Sequence, residues 1–527
     1  MILHNLYCIL LLTAALAAGC RFQERTLPFP SPGKEEIRRI ARQLQVPAGN
    51  APAGLLRITA PCDGAVFPPE IAAPVIAWND PNPEARFWLV AVETGGRPLV
   101  TDVTRETHWS PARKMWETIK QESVETPARI AITGFTDLHS PQPVSDGAVR
   151  IRTSTDPVDA LILYRQVPLP FQVGEEHFRR IKWRLGDIAA YGEPSVVMED
   201  IPVCASCHQV TADGNRISME MNYRNDAGAQ LIADIRKDIV LSGSDFMTWN
   251  DFPKPEILPA TRGLFARLSP SGKYLVGTVN EISYMALTND PAYCQLFFPT
   301  YGILAVYAIE KREFRSLKGA DDPASIQTDP AFSPDERQIA FARAETRNAY
   351  HDDIADVKTH VENCGIEELN RRFPIQFDIW TLPFNGGKGG APRPLSGASA
   401  NGMSNYFPRF SPDGRWIVYT RSRSGIMLQP DSELFLIPST GGEARKMSCN
   451  REEFNSWHSW SPNGRWLLFS SKANSIYTEI YITHIDENGS DSPPVRLARF
   501  SDGDMAANVP EFVHRRAGRL ETIRLKN

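Results

Sequence analysis

Short apolar runs separated by turn residues dominate the chain, and long stretches with helical periodicity are rare. Between Leu56 and Thr155 the runs LLRITA, FWLVAVE, ARIAITGF and AVRIRT are rich in β-branched and aromatic residues, with Gly, Pro, Asp or Asn between them. Runs of this length and composition predict strands. A set of such strands over about 100 residues is typical of an immunoglobulin-like or fibronectin type III-like β-sandwich. We therefore predict a sandwich domain over residues 56–155.

A hairpin pattern recurs in the remainder of the chain. The copies are LSPSGKYLVG from Leu268, FSPDERQIAF from Phe332, FSPDGRWIVY from Phe410 and WSPNGRWLLF from Trp460. Each copy reads as a strand end, a tight turn and a second apolar strand, as in a β-hairpin. A weaker copy, VTADGNRISM, begins at Val210, and a sixth strand start lies near Phe512.

Further strand pairs follow the copies, joined in places by a Gly-Gly turn, as in ELFLIPSTGGEARKM. Four strands in a unit of roughly 50 residues are typical of a propeller blade. We predict a six-bladed propeller over residues 156–527, with five or seven blades as alternatives. The last unit shows only its first strand, so we expect the apolar segments near 162–165 and 181–185 to complete it. The predicted fold class is therefore all-β.

The repeats resemble the WD40-like repeats of the family that includes the TolB protein of the Tol-Pal system. The resemblance covers about residues 205–527 and rests on the Ser-Pro-Asp-Gly type of turn between two apolar strands. It implies a β-propeller. It implies no particular activity, because propellers serve many functions.

The segment Cys204-Ala205-Ser206-Cys207-His208 has the spacing of a c-type haem attachment site. Two thiols at this spacing add to the two vinyl groups of haem, and the next imidazole reaches the iron as an axial ligand. The sequence therefore predicts haem c, with Cys204 and Cys207 as attachment points and His208 as the proximal iron ligand. A disulfide between the two cysteines, a redox-active pair and a structural zinc site are the alternatives. Zinc would need a second pair of ligands, and none lies near in the sequence.

The sequence constrains the second axial ligand of the iron less tightly. Aligned on the repeats, His208 stands two residues before Val210, and His458 occupies the same column in another copy. We expect this column to ring one mouth of the central channel, which favours His458, then Met403 in a nearby loop, then Met219. Met219 comes last because it lies beside His208 across a hairpin, where neighbouring side chains point the same way. A histidine that merely lines the channel, with an open sixth iron position, is the alternative.

The first residues have the pattern of an export signal. The apolar stretch from Ile9 to Ala18 is too short to span a bilayer but suits the core of a signal peptide. The following residues, up to Gly19-Cys20, resemble the lipobox of bacterial lipoproteins, which implies lipid on Cys20. We predict a signal peptide over 1–19, a lipid-anchored linker over 20–55, and a periplasmic or outer-membrane location outside the cytoplasm. Ordinary secretory cleavage is the alternative.

Four other cysteines, Cys62, Cys294, Cys364 and Cys449, remain to be explained. Disulfides form outside the cytoplasm. Cys294 and Cys364 both lie in long insertions between copies of the repeat, so we expect them to pair, and we expect Cys62 and Cys449 to be buried thiols. The formal net charge of -5 gives no basic surface for nucleic acid, so no nucleic acid partner is expected.

Together these features favour an electron carrier over an enzyme. The leading hypothesis is a lipid-anchored, single-haem cytochrome whose propeller docks a redox partner or another envelope protein. A second hypothesis is a TolB-like binding or scaffold protein with a structural or sensory haem. A third is a haem enzyme with peroxidase-like activity at an open iron. The sequence shows no evident set of nucleophile, base and orienting residue, which weighs against other enzyme classes.

Overall fold

The structure is a computed structural model of the chain. It describes residues 32–44, 56–169, 178–288, 290, 292–293, 296–347, 360–362 and 365–526. Over these residues strands far outnumber helices, so the predicted all-β class is confirmed. Within the same ranges no helix has the length and apolar character needed to cross a membrane.

The N-terminal part of the chain contains two sheets and two helices. Its elements are α1 (Lys34–Leu44), β1 (Arg57–Ala60), β2 (Ala65–Phe67), β3 (Ile76–Asn79), β4 (Phe87–Thr94), β5 (Arg97–Thr104), β6 (His108–Trp109), α2 (Arg113–Glu122), β7 (Ala128–Phe135) and β8 (Pro143–Thr153). The larger sheet has the order β2-β8-β7-β4-β5 and the smaller one the order β1-β3-β6. Along β7, Ile130 and Ile132 are buried while Arg129 is exposed, as expected for a sheet with one face on a core.

The two helices cover parts of these sheets. Ile40 of α1 packs against Phe87 and its neighbours on the larger sheet. Trp116 of α2 is fully buried, and its indole N–H donates a hydrogen bond of 2.8 Å to the carbonyl of Ile71. The sequence pattern predicted only strands over residues 56–155, although the apolar residues three apart in the MWETI segment of α2 have helical spacing.

The second part of the chain consists of consecutive sheets. The strands before the first full sheet are β9 (Ala160–Pro168), β10 (Lys182–Gly186) and β11 (Ser195–Met198). Unit 1 comprises β12 (Ala205–Val210), β13 (Arg216–Met221), β14 (Ala229–Asp234) and β16 (Phe246–Thr248), with β15 (Asp238–Leu241) ahead of β16. Unit 2 comprises β17 (Arg267–Leu268), β18 (Tyr274–Leu287), β19 (Leu296–Ala308) and β20 (Glu313–Ser316).

The later units repeat this order of strands. Unit 3 comprises β21 (Ser325–Phe332), β22 (Gln338–Glu345), β24 (Asp378–Pro383) and β25 (Arg393–Pro394), with β23 (His360–Glu362) and α3 (Ile366–Arg372) inserted. Unit 4 comprises β26 (Ser404–Phe410), β27 (Trp416–Ser422), β28 (Glu433–Pro438) and β29 (Arg445–Lys446). Unit 5 comprises β30 (Asn455–Trp460), β31 (Trp466–Ser471), β32 (Glu479–His484) and β33 (Val495–Arg496), and β34 (Met505–His514) and β35 (Thr522–Leu525) follow.

The last long strand closes the ring of sheets. β34 pairs antiparallel with β9, and the resulting sheet has the order β34-β9-β10-β11. This closing unit takes its innermost strand from after unit 5 and its other three strands from before unit 1. The segments near 162–165 and 181–185 lie in it. β35 adds a second link by pairing in parallel with β15 of unit 1. The sheets therefore form a β-propeller.

The repeated turn depends on a short side-chain network. In unit 4 the Ser411 hydroxyl donates to Asp413 at 2.6 Å and accepts from the backbone N–H of Trp416 at 3.0 Å. Gly414 follows with a φ of 72°, a conformation in which a side chain is disfavoured. The aspartates of the repeat are thus turn-forming residues.

A one-residue bulge recurs on the innermost strands β12, β21, β26, β30 and β34. Three residues before the anchor of the repeat, the backbone φ is positive at Phe265 (60°), Asp329 (53°), Phe407 (53°), Trp457 (50°) and Val509 (51°). Cys207 occupies this position in unit 1, and its register shift lies between Ala205 and His208. Cys207 therefore stands where units 2, 4 and 5 and strand β34 place a residue that lines one common small cavity.

Asp329 in this set makes stability depend on pH. Its side chain is fully buried, one carboxyl oxygen lies 3.5 Å from Nη1 of Arg409, and the other has no hydrogen-bond partner among the described residues. Burial raises the pKa of this carboxyl from 3.8 to about 8. Between these values the folded chain holds a proton that the unfolded chain has lost. Stability therefore falls as pH rises through this window, by up to about 1.4 kcal/mol per pH unit.

We expect Asp329→Asn to remove this loss. Urea unfolding at pH values between 4 and 8 should show the free energy of unfolding of the wild type falling relative to that of Asp329→Asn. Parallel curves for the two proteins would show that the Asp329 carboxyl is ionised in the fold.

The N-terminal part and the propeller share one hydrophobic core. Trp466 of β31 is fully buried in a cluster that includes Ile130 and Ile151 of the larger N-terminal sheet. The Trp466 indole N–H donates to the carbonyl of Asp156 at 3.0 Å, and His484 Nε2 lies 2.7 Å from a carboxylate oxygen of Asp156. The N-terminal part is therefore fixed on unit 5.

Strands β18 and β19 continue past the end of the unit 2 sheet. After register shifts beginning at Val279, residues 282–286 pair with residues 296–301, and we name these two segments the roof hairpin. The carbonyl of Phe297 accepts a hydrogen bond of 2.8 Å from the backbone N–H of Met427. The ring of Phe298 packs on Phe373, just after α3, with centroids 4.7 Å apart. The hairpin is thus held by units 3 and 4.

Candidate functional site

A cavity of about 310 Å³ lies beside β12, and both thiols of the motif line it. Its walls are mainly apolar and include Val167, Leu264, Phe265, Leu428, Phe454 and Trp457. Cys204 and Cys207 are free thiols. Cofactor sites are commonly apolar cavities of about 300–1,000 Å³ with a few polar groups. We name this space the thiol cavity.

The bulge in β12 explains why both thiols reach one cavity. On a regular strand, residues three apart point to opposite faces of the sheet. Ala205 pairs with Met221 of β13, and His208 pairs with Met219. The two pairs are therefore three residues apart on β12 but only two residues apart on β13. The extra residue changes the alternation and allows Cys204 and Cys207 to line the same wall.

Glu220 of β13 fastens the loop between the two cysteines. One of its carboxylate oxygens accepts a hydrogen bond of 2.6 Å from the Ser206 hydroxyl, and the other accepts one of 2.6 Å from the backbone N–H of Phe265. Burial raises the pKa of Glu220 to about 7. The motif is thereby tied both to its own sheet and to unit 2.

Three cationic side chains, Arg165, Arg262 and Lys472, also line the thiol cavity. Burial raises the pKa of the Cys204 and Cys207 thiols, and the nearby charge of Arg165 opposes this shift without cancelling it. Both sulfurs are therefore neutral thiols at neutral pH. A thiolate-dependent redox pair would require the opposite shift.

His208 is fully buried, but it does not line the thiol cavity. It lines a second cavity of about 20 Å³ together with His458, Arg267 and Glu511. Its Nε2 lies 3.2 Å from the carbonyl oxygen of Leu163, while Nδ1 has no hydrogen-bond partner among the described residues. Burial lowers the pKa of the ring, so it is neutral and one nitrogen carries a lone pair.

His458 repeats the arrangement of His208. Its Nε2 lies 3.0 Å from the carbonyl oxygen of Val418 on the preceding unit, and its buried Nδ1 has no partner within the described part of the chain. Burial lowers its pKa to about 4. The second cavity has the volume of about one water molecule. The structure therefore does not place His458 where it faces a group in the thiol cavity.

The two predicted methionines also lie outside the thiol cavity. Met219 is fully buried in the core of unit 1, and Met403 lies in the loop before β26. Two other methionines, Met221 and Met285, do line the cavity. Met221 follows Met219 by two residues on the same strand, so the sequence could have indicated Met221 as a candidate beside Met219. Met285 lies in the roof hairpin, where no repeat pattern marks it.

Of the other predicted cysteine roles, only those of Cys62 and Cys449 fall on described residues. Cys20, Cys294 and Cys364 lie outside the described residues, so the lipid and disulfide assignments stay predictions. Cys449 is fully buried, whereas Cys62 is only half-buried and its sulfur lies 3.2 Å from Nη1 of Arg451. Within the described ranges no group of three or more His, Cys, Asp or Glu side chains is arranged to hold a metal ion.

No family model and no curated protein matches the sequence. Among solved structures, the chain is similar to TolB from Acinetobacter baumannii, with 13% identity and a TM-score of 0.40 over 73% of this chain and 79% of that chain. It is similar to a puromycin-hydrolyzing peptidase from Mycobacterium tuberculosis, with 11% identity and a TM-score of 0.35 over 63% of this chain and 45% of that one. It is also similar to dipeptidyl peptidase 4 from Porphyromonas gingivalis, with 10% identity and a TM-score of 0.30 over 55% and 39%. These similarities assign no activity to this chain.

Proposed function

We propose that this chain is an exported c-type cytochrome that carries haem c in the thiol cavity and transfers electrons in the cell envelope. The observation that carries the proposal is that Cys204 and Cys207, at haem-attachment spacing, line the same mainly apolar cavity. Bound haem would supply one-electron chemistry at its iron, and the protein would set its potential through axial ligation and burial.

The chemistry of the cavity fits such a group. The apolar walls suit the macrocycle, and the bulge of β12 presents two sulfurs together. Lys472, in the loop after β31 of unit 5, also lines the cavity and would offer a cation for a carboxylate of the ligand. The raised pKa values keep both thiols neutral, whereas metal binding would require thiolates.

His208 fits the role of proximal ligand in its chemistry and requires a movement in its geometry. A metal-bound histidine usually donates its other ring N–H to a carbonyl, and the Leu163 carbonyl already accepts from His208 while Nδ1 has no partner among the described residues. The ring faces the smaller cavity, however. Ligation of a haem in the thiol cavity would therefore require the His208 side chain to turn and to give up its bond to the Leu163 carbonyl.

We also propose the finer points of the architecture. Units 1–5 and the closing unit are interpreted as six blades of one propeller, and the two N-terminal sheets as an immunoglobulin-like or fibronectin type III-like sandwich. The proposed location is the bacterial envelope, outside the cytoplasm, with a lipid on Cys20. A redox protein of the envelope is the proposed partner.

A redox titration separates electron transfer from the two other roles. Protein made with the cytochrome c maturation machinery is titrated in an optical cell, and we expect one reversible one-electron transition with a low-spin spectrum in both states. A high-spin ferric spectrum that changes on addition of cyanide or peroxide would favour a haem enzyme. A haem that responds to neither reductant nor small ligands would favour a structural haem in a TolB-like scaffold.

The membrane anchor has its own test. Since lipid on Cys20 would be the attachment to the membrane, Cys20→Ala should move the protein from the membrane fraction to the soluble fraction. Metabolic labelling with a tagged fatty acid should mark the wild type only. Equal solubility of the two proteins would show that the leader is cleaved without lipidation.

A further inference from the structure

Met285 reaches the thiol cavity from a different part of the molecule than the two cysteines. It lies on β18 in the roof hairpin and pairs across that hairpin with Phe297, and both residues line the cavity. Cys204 and Cys207 lie in unit 1, whereas the roof hairpin extends from unit 2. A group held by the thiols therefore meets Met285 from a separate sheet.

The roof hairpin is firmly placed over the cavity. Phe297, the pairing partner of Met285, accepts a backbone hydrogen bond of 2.8 Å from Met427, and Leu428 next to it lines the cavity as well. On the other side, the stacked rings of Tyr284 and Phe298, 5.4 Å apart, pack on the segment after α3. Met285 is partly buried at this point.

Met221 also lines the cavity but is placed differently. It lies on β13 directly opposite Ala205, within the same sheet as the thiols. The sulfur of Met221 therefore belongs to the wall that carries the thiols. A sixth ligand must approach the iron from the face opposite the proximal ligand, which favours a residue from another sheet.

The other cavity residues that can bind iron are less suitable. The Tyr293 hydroxyl donates to Glu453 at 2.9 Å, and burial and this carboxylate raise the pKa of the phenol, which disfavours the phenolate that iron requires. The Lys472 ammonium donates to the carbonyl of Ile476 at 3.2 Å and lies 4.7 Å from the ring centroid of Tyr293. A thioether needs no proton loss before it binds iron.

We propose that Met285 is the distal axial ligand of the haem, an assignment that rests on the proposed covalent haem in the thiol cavity. It replaces the predicted candidates His458, Met403 and Met219, none of which lines that cavity. Methionine opposite histidine raises the reduction potential of a haem. The site is therefore that of an electron acceptor of comparatively high potential.

The test uses the magnetic circular dichroism spectrum of the ferric, haem-loaded full chain. The wild type should be low-spin and show a sulfur-to-iron charge-transfer band in the near infrared. Met285→Ala should lose this band and bind added imidazole, and Met285→His should lose it while staying low-spin at a lower midpoint potential. The matched control Met221→Ala should keep the band. Circular dichroism in the far ultraviolet checks that each variant is folded.

The outcomes separate this assignment from the proposed function. Covalent haem without the band in the wild type, or a band that persists in both Met285 variants, would overturn the role of Met285 and leave the cytochrome intact. Loss of the band in Met221→Ala alone would move the role to Met221. Absence of covalent haem from the wild type would overturn the cytochrome itself and the assignment with it.

Discussion

The double substitution Cys204→Ser with Cys207→Ser should abolish covalent haem. Each thioether bond needs one sulfur, and these two thiols line the cavity in which we place the haem. Serine keeps the size and shape of the side chain close to those of cysteine, so the β12 bulge and the bond between Ser206 and Glu220 should persist. Haem staining of the denatured protein after gel electrophoresis is expected to fall to background.

Cys62→Ser is the matched control for this experiment. Its thiol is half-buried, like those of the motif, but lies beside Arg451 and away from the thiol cavity. The control should stain as strongly as the wild type. Staining of the double variant at wild-type strength would show that haem is attached elsewhere.

Trp466→Ala should lower the free energy of unfolding by about 3–5 kcal/mol, the usual cost of replacing a fully buried tryptophan with alanine. The ring is 0% exposed and lies in the core shared by unit 5 and the N-terminal sheets. Its indole N–H also donates to Asp156, and His484 packs edge-on against it with centroids 4.8 Å apart. Urea unfolding followed by tryptophan fluorescence measures the loss.

Trp416 provides the control, because it stands at the same place in the repeat of unit 4. It is only partly buried, and the guanidinium of Arg445 lies 5.9 Å from the ring centroid. Trp416→Ala should therefore cost much less than Trp466→Ala. Equal losses would show that the shared core contributes nothing beyond the repeat itself.

The propeller was predictable from the sequence because its information is local. In units 3, 4 and 5 a serine and an aspartate or asparagine shape the turn. In units 1, 2, 4 and 5 a glycine such as Gly414 takes the positive φ that the turn requires. The strands on either side are short apolar runs, so spacing alone identifies the unit. The location of Cys204 and Cys207 on an innermost strand followed from aligning Val210 with the other anchors.

The detailed site was less predictable because it depends on contacts between distant segments. The alignment of the repeats places His208 and His458 at equivalent positions, and both line the second cavity. It does not reveal that His208 lies outside the thiol cavity, although Cys207 lines both cavities. Met285 reaches the thiol cavity from the roof hairpin, an extension of unit 2 that has no counterpart in the repeat pattern of the sequence. Helix α2 was not predicted because the strand-like runs on both sides of it dominate the pattern, and only a few apolar residues within α2 have helical spacing.

Glu220 illustrates the same limit. It lies within an apolar strand, where sequence alone suggests an exposed carboxylate. Its bond to the backbone N–H of Phe265 exists only because unit 2 packs beside unit 1, whereas its bond to Ser206 lies within unit 1. No local pattern in the sequence carries that information.

The most direct test of the account is the intact mass of the wild-type protein made with the cytochrome c maturation machinery. We predict an increase equal to one haem that survives denaturation, and a proteolytic peptide spanning Cys204 to His208 that carries it. An unmodified mass for this peptide, with both thiols open to alkylation, would contradict the central claim.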